Sequence, residues 1–120
     1  MKKFLCAVLF VLVLAGLSYA IEDAGTVSFR DFVAQTRNSV KLERLYLGKY
    51  VTVTGCAVSN IHAKGNEYVL EAWNVVDFTF TAANSEQIAD LDRGDVVTIR
   101  GIVQRNQYGF VTLYNCEIIE

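Results

Sequence analysis

The feature that most constrains this chain is a strand pattern, interrupted by a glycine, that occurs twice. Gly48–Ile61 is GKYVTVTGCAVSNI, and Gly94–Gln104 is GDVVTIRGIVQ. In both, β-branched residues alternate with others at the two-residue period of a half-buried strand, and then Gly55 or Gly101 interrupts that period. A glycine inside a strand indicates a bulge or a sharp bend. Two long strands bent in this way are what a small closed β-barrel needs at its corners.

The first twenty of the 120 residues form a separate segment. After two lysines, Phe4–Leu17 is apolar or small throughout, and Ser18–Ala20 has small residues at the first and third positions before a cut. These are the three parts of a secretory signal peptide, and the apolar run is shorter than the about 20 residues of a membrane span. We expect residues 1–20 to be a cleaved signal and 21–120 to be one exported domain, periplasmic or extracellular in a bacterium. An uncleaved N-terminal anchor is the alternative.

The charge of the exported part is acidic. Loss of the signal removes two lysines and leaves nine Lys and Arg against thirteen Asp and Glu, a net charge of −4. Binding to a nucleic-acid backbone depends on Lys and Arg that displace counterions, so this balance disfavours it. Proline is absent and no segment has the composition of a linker, which favours a single domain.

The cysteines of the exported part allow two interpretations. Cys6 lies within the signal, and no lipobox cysteine follows the apolar run, whereas Cys56 and Cys116 remain in the domain. Disulfides persist in exported proteins. In the chain-entropy model, a Cys56–Cys116 bridge would stabilise the folded domain by about 4 kcal/mol through the loop that it closes. The alternative is two buried thiols that pack as small hydrophobes, because sequence does not show whether the two Cα atoms approach within about 7 Å.

The domain divides into a helical segment and five strands. After a lead-in at Ile21–Val27, we predict an amphipathic helix, or two short ones, over Phe29–Tyr46, with Ser28 as N-cap and an apolar stripe that packs against the core. The predicted strands are Tyr50–Ser59, Glu67–Trp73, Val75–Ala82, Asp95–Gln104 and Phe110–Ile119, with turns at Asn60–Asn66, Asn74 and Arg105–Gly109 and a short helix capped by Asn84. The fold class is therefore mainly β, and this element order is that of the five-stranded OB-fold barrel.

Three runs of the chain resemble the tRNA_anti-like family of bacterial OB-fold lipoproteins. They are Arg37–Gly55, with its LYLGKYVTVTG, then Leu91–Gly101, LDRGDVVTIRG, and Val111–Cys116, VTLYNC. The resemblance covers nearly the whole domain and implies an exported OB-fold protein. It implies no catalytic motif and no particular ligand.

Candidate ligand-binding residues follow from where OB barrels bind oligonucleotides or oligosaccharides, on strands two and three and in the one–two and four–five loops. The candidates are His62, Lys64, Tyr68, Trp73, Arg105 and Tyr108, with the polar residues Asn60, Asn66, Asn106 and Gln107 beside them. Aromatic rings beside basic groups could stack bases or sugars. The competing interpretation is that these are ordinary polar loop residues and half-buried aromatics of an acidic domain.

Catalytic and metal sites are not indicated. His62 is the only histidine, with no glutamate at an HxxE spacing, and Asp90, Asp92 and Asp95 lack the remaining ligands of a calcium loop. We therefore expect no cofactor, no metal ion and no enzyme activity, although a hydrolase with His62 beside a carboxylate is one hypothesis to test. The function we predict is a binding module for a protein or envelope component. The alternative is binding of single-stranded nucleic acid or an oligosaccharide on the barrel face.

Overall fold

The architecture is known from a computed structural model that describes residues 21–73 and 75–119, so the predicted signal peptide and the predicted turn residue Asn74 lie outside the described residues. The strands are β1 (Asp23–Ser28), β2 (Tyr50–Lys64), β3 (Glu67–Ala72), β4 (Val76–Phe80), β5 (Val96–Arg105) and β6 (Val111–Ile119). The helices are α1 (Phe29–Thr36), α2 (Ser39–Lys41), which continues as a π-helical turn over Leu42–Tyr46, and α3 (Glu86–Ala89).

Five of the strands close into a barrel. Strand β2 pairs antiparallel with β3, β3 with β4, and β5 with both β6 and β2, while β4 and β6 pair in parallel. The parallel β4–β6 pair and the β5–β2 pair complete the ring. This is the OB-fold topology, and the predicted mainly-β, five-stranded barrel with its helix between the third and fourth barrel strands is confirmed.

The two predicted glycine bends are also present. Against β5, the register of β2 shifts between Val53 and Cys56, around Gly55. Against β6, the register of β5 shifts between Arg100 and Ile102, at Gly101. Each long strand can therefore take part in two walls of the barrel.

Inward-pointing side chains of all five barrel strands form the core. Fully buried members include Val51, Val53, Leu70, Phe78, Phe80, Ile99, Val103 and Leu113. One helical cover comes from α1, where Phe32 is fully buried and meets the ring of Tyr46 edge-on at 5.2 Å between centroids. A second comes from α3, where Ile88 is fully buried. The predicted N-cap of α1 is confirmed, because the Ser28 hydroxyl accepts a hydrogen bond from the Asp31 N–H at 3.2 Å.

The predicted lead-in at Ile21–Val27 is wrong, because most of it belongs to β1. This strand pairs in parallel with the first half of β2, from Asp23 opposite Tyr50 to Ser28 opposite Thr54. It lies outside the closed barrel, and only Val27 among its residues is even half-buried. A strand that does not contribute to the core has no apolar alternation, so its sequence gave no strand signal.

The predicted turn at Asn60–Asn66 is also wrong over most of its length. Strand β2 continues to Lys64, with Asn60 opposite Glu71 and Lys64 opposite Glu67, and only Gly65 and Asn66 form the turn. The β2–β3 hairpin therefore extends beyond the core, where polar residues suit both faces of the strands and the sequence resembles that of a loop.

A third correction concerns the start of α3. The N-cap position is Ser85 rather than the predicted Asn84, and the Ser85 hydroxyl donates to the Thr81 carbonyl at 2.9 Å. The Asn84 amide instead donates to the Cys116 carbonyl at 3.3 Å. Asn84 therefore connects the segment before α3 to strand β6.

Candidate functional site

Two of the predicted ligand residues, His62 and Lys64, lie on the extended part of β2 rather than in a loop. Both are exposed, and directly across from them on β3 are Val69 and Glu67. They are close enough to Asp77 of β4 to favour its ionised form. Nevertheless the pKa of Asp77 is raised, first by burial and then by the nearby charge of Glu71. This face of the barrel therefore carries charges of both signs and no continuous positive surface.

Tyr68 does not share that face. It lies opposite Ala63 and Phe80 in the sheet, whereas His62 lies opposite Val69. Successive residues of a strand point to opposite sides, and the half-buried ring of Tyr68 packs against the hydrophobic core. Tyr68 and His62 therefore lie on opposite sides of the sheet, and a part for Tyr68 in ligand binding stays a prediction.

The two candidates from the predicted Arg105–Gly109 turn also differ from each other. Arg105 ends β5 and forms an ion pair with Glu43 at 3.3 Å. Tyr108 is 75% exposed in a loop in which the Asn106 side chain accepts hydrogen bonds from the N–H groups of Tyr108 and Phe110. Only Tyr108 of this pair is therefore an uncommitted side chain available for contact.

Trp73 lies at a cavity that the sequence did not predict. Its ring is 63% exposed just after β3, and it lines an open groove of about 600 Å³ beside α1. We call this cavity the α1 groove. Its other lining residues are Ser28, Phe29, Arg30, Val33, Ala34 and Arg37 from the α1 side, and Thr54 and Gly55 from the bend of β2. The lining is predominantly apolar, apart from the two arginines at its edge.

A second, smaller cavity of about 210 Å³ adjoins the α1 groove, sharing Val33 and Arg37 with it. Its remaining lining residues are Thr36 of α1 and residues at the starts of β4 and β6, including Val75 and Phe110. Val75 is 54% exposed and Phe110 is 68% exposed. Trp73 lines the α1 groove, and Val75 and Phe110 line the cavity that adjoins it; we call these three exposed apolar side chains the end patch.

Two arginines provide the charge at the edge of the α1 groove. Arg30 and Arg37 are exposed, and within residues 21–73 and 75–119 neither is part of an ion pair. Lys49, Arg100 and Arg105, in contrast, are each paired with a carboxylate. The groove therefore combines an apolar wall, one exposed aromatic ring and two available guanidinium groups.

The structure thus separates the six predicted residues instead of bringing them together. His62 and Lys64 share the mixed-charge face, Tyr68 packs on the core, Arg105 is paired with Glu43, and Trp73 belongs to the α1 groove. The sequence favoured a position in the core for the apolar stripe of α1. A signal was present, since Arg30, Ala34 and Arg37 recur at helical spacing beside that stripe.

Cys56 and Cys116 are present as free, fully buried thiols, so the bridge that the sequence left open is not formed in this structure. Burial raises the pKa of the Cys56 thiol to about 12. Burial also raises the pKa of Cys116, with a further contribution from Cys56. These thiols have the environment of core side chains and not of reactive nucleophiles.

Within residues 21–73 and 75–119, no group of three or more His, Cys, Asp or Glu residues is placed to hold a metal ion. Over the same residues, no helix has the length and apolar character needed to cross a membrane.

The closed barrel, its helical covers and its surface groove define the protein as an OB-fold domain. A family model described as tRNA_anti-like matches residues 17–118. The chain belongs to this family, as the resemblance in its sequence implied. No curated protein is matched by the sequence.

The chain is also similar to solved structures. A Klebsiella pneumoniae protein named as a presumed nucleic acid-binding lipoprotein is 26% identical, with a TM-score of 0.59 over 87% of this chain and 96% of that chain. A chain of the S. pombe Stn1-Ten1 complex is 17% identical, with a TM-score of 0.47 over 59% of this chain and 58% of that chain.

Proposed function

We propose that this protein is an exported, non-enzymatic binding module that binds a protein or another envelope component at the α1 groove. The observation that carries the proposal is the end patch beside that groove. A monomeric protein rarely exposes neighbouring large apolar side chains without a binding role, and Trp73, Val75 and Phe110 are each more than half exposed. The signal-like segment at residues 1–20 and the lipoprotein name of the Klebsiella relative support export.

The β2–β3–β4 face is a weaker candidate for the ligand surface. Its residues His62 and Lys64 lie near Asp77, whose pKa Glu71 raises, and the side-chain amide of Asn60 donates to the Glu71 carboxylate at 3.0 Å. The candidate aromatic ring of β3, Tyr68, packs on the core instead. A polyanion would therefore meet carboxylates on this face and no stacking ring.

Binding of single-stranded nucleic acid is the second candidate. The name of the Klebsiella relative favours it, and an exposed tryptophan beside two arginines can stack a base and contact a phosphate. The acidic balance of the chain opposes it. The two candidates differ in salt dependence, because binding to phosphates weakens steeply as salt rises.

A photocrosslinking experiment in the native host tests the proposed function. A photoreactive amino acid replaces Ala34, which is exposed in the α1 groove, and in a control strain it replaces Ala63, which is exposed on the β2–β3 hairpin. We expect one discrete adduct from position 34 and none of the same mass from position 63. Failure to obtain an adduct from position 34, or the same adduct from both positions, would overturn the assignment to the groove.

A fluorescence anisotropy titration tests the second candidate. A labelled oligothymidylate is mixed with the purified exported protein at low and at physiological salt. Under the proposed function no saturable binding is expected. Saturable binding that weakens with salt and is lost in a Trp73→Gly variant would favour nucleic acid over a protein ligand.

A further inference from the structure

We propose that the α1 groove binds an extended peptide segment of a partner protein that combines apolar and acidic side chains, with Trp73 as its aromatic anchor and Arg30 and Arg37 as its carboxylate-binding groups. This inference rests on the proposed function and names the chemistry of its ligand. Three independent observations support it: the backbone of Trp73, the lining of the groove and the charges at its edge.

The backbone of Trp73 is in a conformation that its own side chain disfavours. Its φ is +54°, in the left-handed region that glycine and asparagine adopt easily. The ring does not recover that cost by burial, since most of it faces solvent. A strained residue whose side chain does not contribute to the core indicates a role in binding.

The lining of the groove suits apolar side chains of a peptide. Phe29, Val33 and Ala34 form one wall along α1, and Trp73 faces them across the bend of β2. Trp73 also lines a further cavity of about 270 Å³ that includes Ala57 and Val58. Two depressions that share a lining residue can receive successive side chains of an extended ligand.

The charges at the edge of the groove indicate that the ligand carries acidic side chains. Arg30 on α1 and Arg37 at its C-cap are seven residues apart, a rise of about 10 Å along the helix axis. About three residues of an extended peptide span the same length. Both guanidinium groups could therefore contact carboxylates of one short segment, and guanidinium–carboxylate pairs are among the stronger hydrogen-bonded contacts in proteins.

The chain contains a direct reporter for this site. Trp73 is its single tryptophan, so a shift of tryptophan emission to shorter wavelength reports a ligand beside Trp73, in the α1 groove or in the adjoining cavity of about 270 Å³. A concentration-dependent shift without any added ligand would show instead that a second copy of the protein covers the groove. That result would overturn the peptide assignment.

The test begins with a phage-displayed library of random nonapeptides selected on the purified exported protein. We expect enrichment of sequences with Asp or Glu near Leu, Ile or Phe, and loss of that enrichment on the Trp73→Gly variant. The selected peptide should shift the Trp73 emission, and its affinity should fall about ten-fold or more when its acidic residues become amides. No enrichment, or enrichment independent of Trp73, would overturn the inference.

Matched variants separate binding from stability. Replacing Arg30 and Arg37 with Gln should weaken the selected peptide about ten-fold or more, whereas replacing Lys41 and Arg44, exposed cations outside the groove, should not. Trp73→Gly should abolish binding while the stability of the fold stays equal or rises, because glycine relieves the φ of +54°. A purely structural tryptophan would instead lose binding and stability together.

Failure of this inference can be told apart from failure of the proposed function. If the acidic peptide and its amide form both shift the emission equally, the groove is a ligand site but the acidic preference is wrong. If no peptide is selected and the Ala34 photocrosslink is also absent, both are wrong. If oligothymidylate alone shifts the emission, the ligand is a nucleic acid and the peptide inference is overturned.

Discussion

Gly55 and Gly101 occupy equivalent places in the two similar strand patterns, yet each is required for a different physical reason. Gly55 has a φ of +71°, and a Cβ added there would meet nothing within 4 Å, so only its backbone conformation favours glycine. A Cβ at Gly101 would lie 2.6 Å from the Cys116 sulfur and 3.1 Å from the Tyr114 carbonyl oxygen. Gly101 therefore permits the close approach of β6 to β5.

Gly101→Ala should lower the free energy of unfolding by about 1–3 kcal/mol through overpacking. Gly55→Ala should cost about 1 kcal/mol through its left-handed backbone. Adding Cys116→Ala should partly restore the Gly101→Ala variant, because the nearest clashing atom is removed. Urea unfolding of the single and double variants provides the measurement.

The matched control is Cys116→Ala combined with Gly55→Ala, for which the two costs should simply add. Additivity in the Gly101 and Cys116 pair as well would show that the sulfur is not what limits residue 101. The shared glycine pattern in the sequence predicted both bends correctly but could not distinguish these two causes, because sequence does not show which strand passes close to each glycine.

Among the secondary-structure elements, the five barrel strands were predictable because their inner faces are apolar. Strand β1 could not be predicted, since it contributes little to the core. Electrostatic contacts help to hold β1 in place. The Arg100 side chain pairs with Asp23 at 3.3 Å and with Glu117 at 3.8 Å, and its guanidinium lies 3.9 Å from the centre of the Tyr50 ring. Asp23 and Arg100 are 77 positions apart in the sequence. No local sequence pattern reveals that they pair.

The candidate site was less predictable than the fold for a related reason. The sequence identified Trp73 and Tyr108 as available aromatics, and both are exposed. It could not show that Trp73 faces α1, because this depends on how the helical segment covers the barrel. It also placed His62 and Lys64 in a loop, since a solvated hairpin and a loop have similar compositions.

Arg100→Met tests the attachment of β1, because it retains an unbranched side chain and removes the charge. Loss of these exposed contacts should loosen β1, so amide hydrogen exchange in Thr26–Ser28 should accelerate about five-fold at neutral pH. Arg105→Met, which breaks only the pair with Glu43, is the control and should leave these amides unchanged. Equal exchange in the two variants would show that Arg100 does not hold β1.

The same attachment should depend on pH in a defined direction. The pKa of Asp23 is lowered, first by the hydrogen bond from the Gly25 N–H and also by Arg100. A carboxyl whose pKa is lowered on folding contributes stability above its ordinary pKa of about 3.9. That contribution is lost as the pH falls below this value and through the lowered pKa. The amides of β1 should therefore exchange faster at such acidic pH. The Asp23→Asn variant should not show this acceleration.

For the whole molecule, the barrel interior and its surface have separate roles. The groove at α1 presents exposed side chains for contact, whereas the interior holds two thiols away from solvent. Because both cysteines lie among fully buried residues from several strands, neither can react without opening of the barrel. Their reactivity therefore reports the unfolding of the entire domain.

Alkylation of the native protein with iodoacetamide at pH 8 should give no adduct, and alkylation in denaturant should give one adduct on each of Cys56 and Cys116, as mass spectrometry would show.

Because the pKa of Cys56 is raised to about 12 and that of Cys116 is also raised, both thiols stay neutral in the fold but ionise near pH 8.5 when unfolded. The stability they contribute is complete below that pH and is lost as the pH rises toward their folded pKa values. Between pH 8.5 and 10 the free energy of unfolding should therefore fall less in a Cys56→Ala, Cys116→Ala variant than in the parent. A denatured sample that takes up no adduct until a reductant is added would instead show that the exported protein bridges the two cysteines, and an equal pH dependence in parent and variant would show that the thiols are not shielded by the barrel.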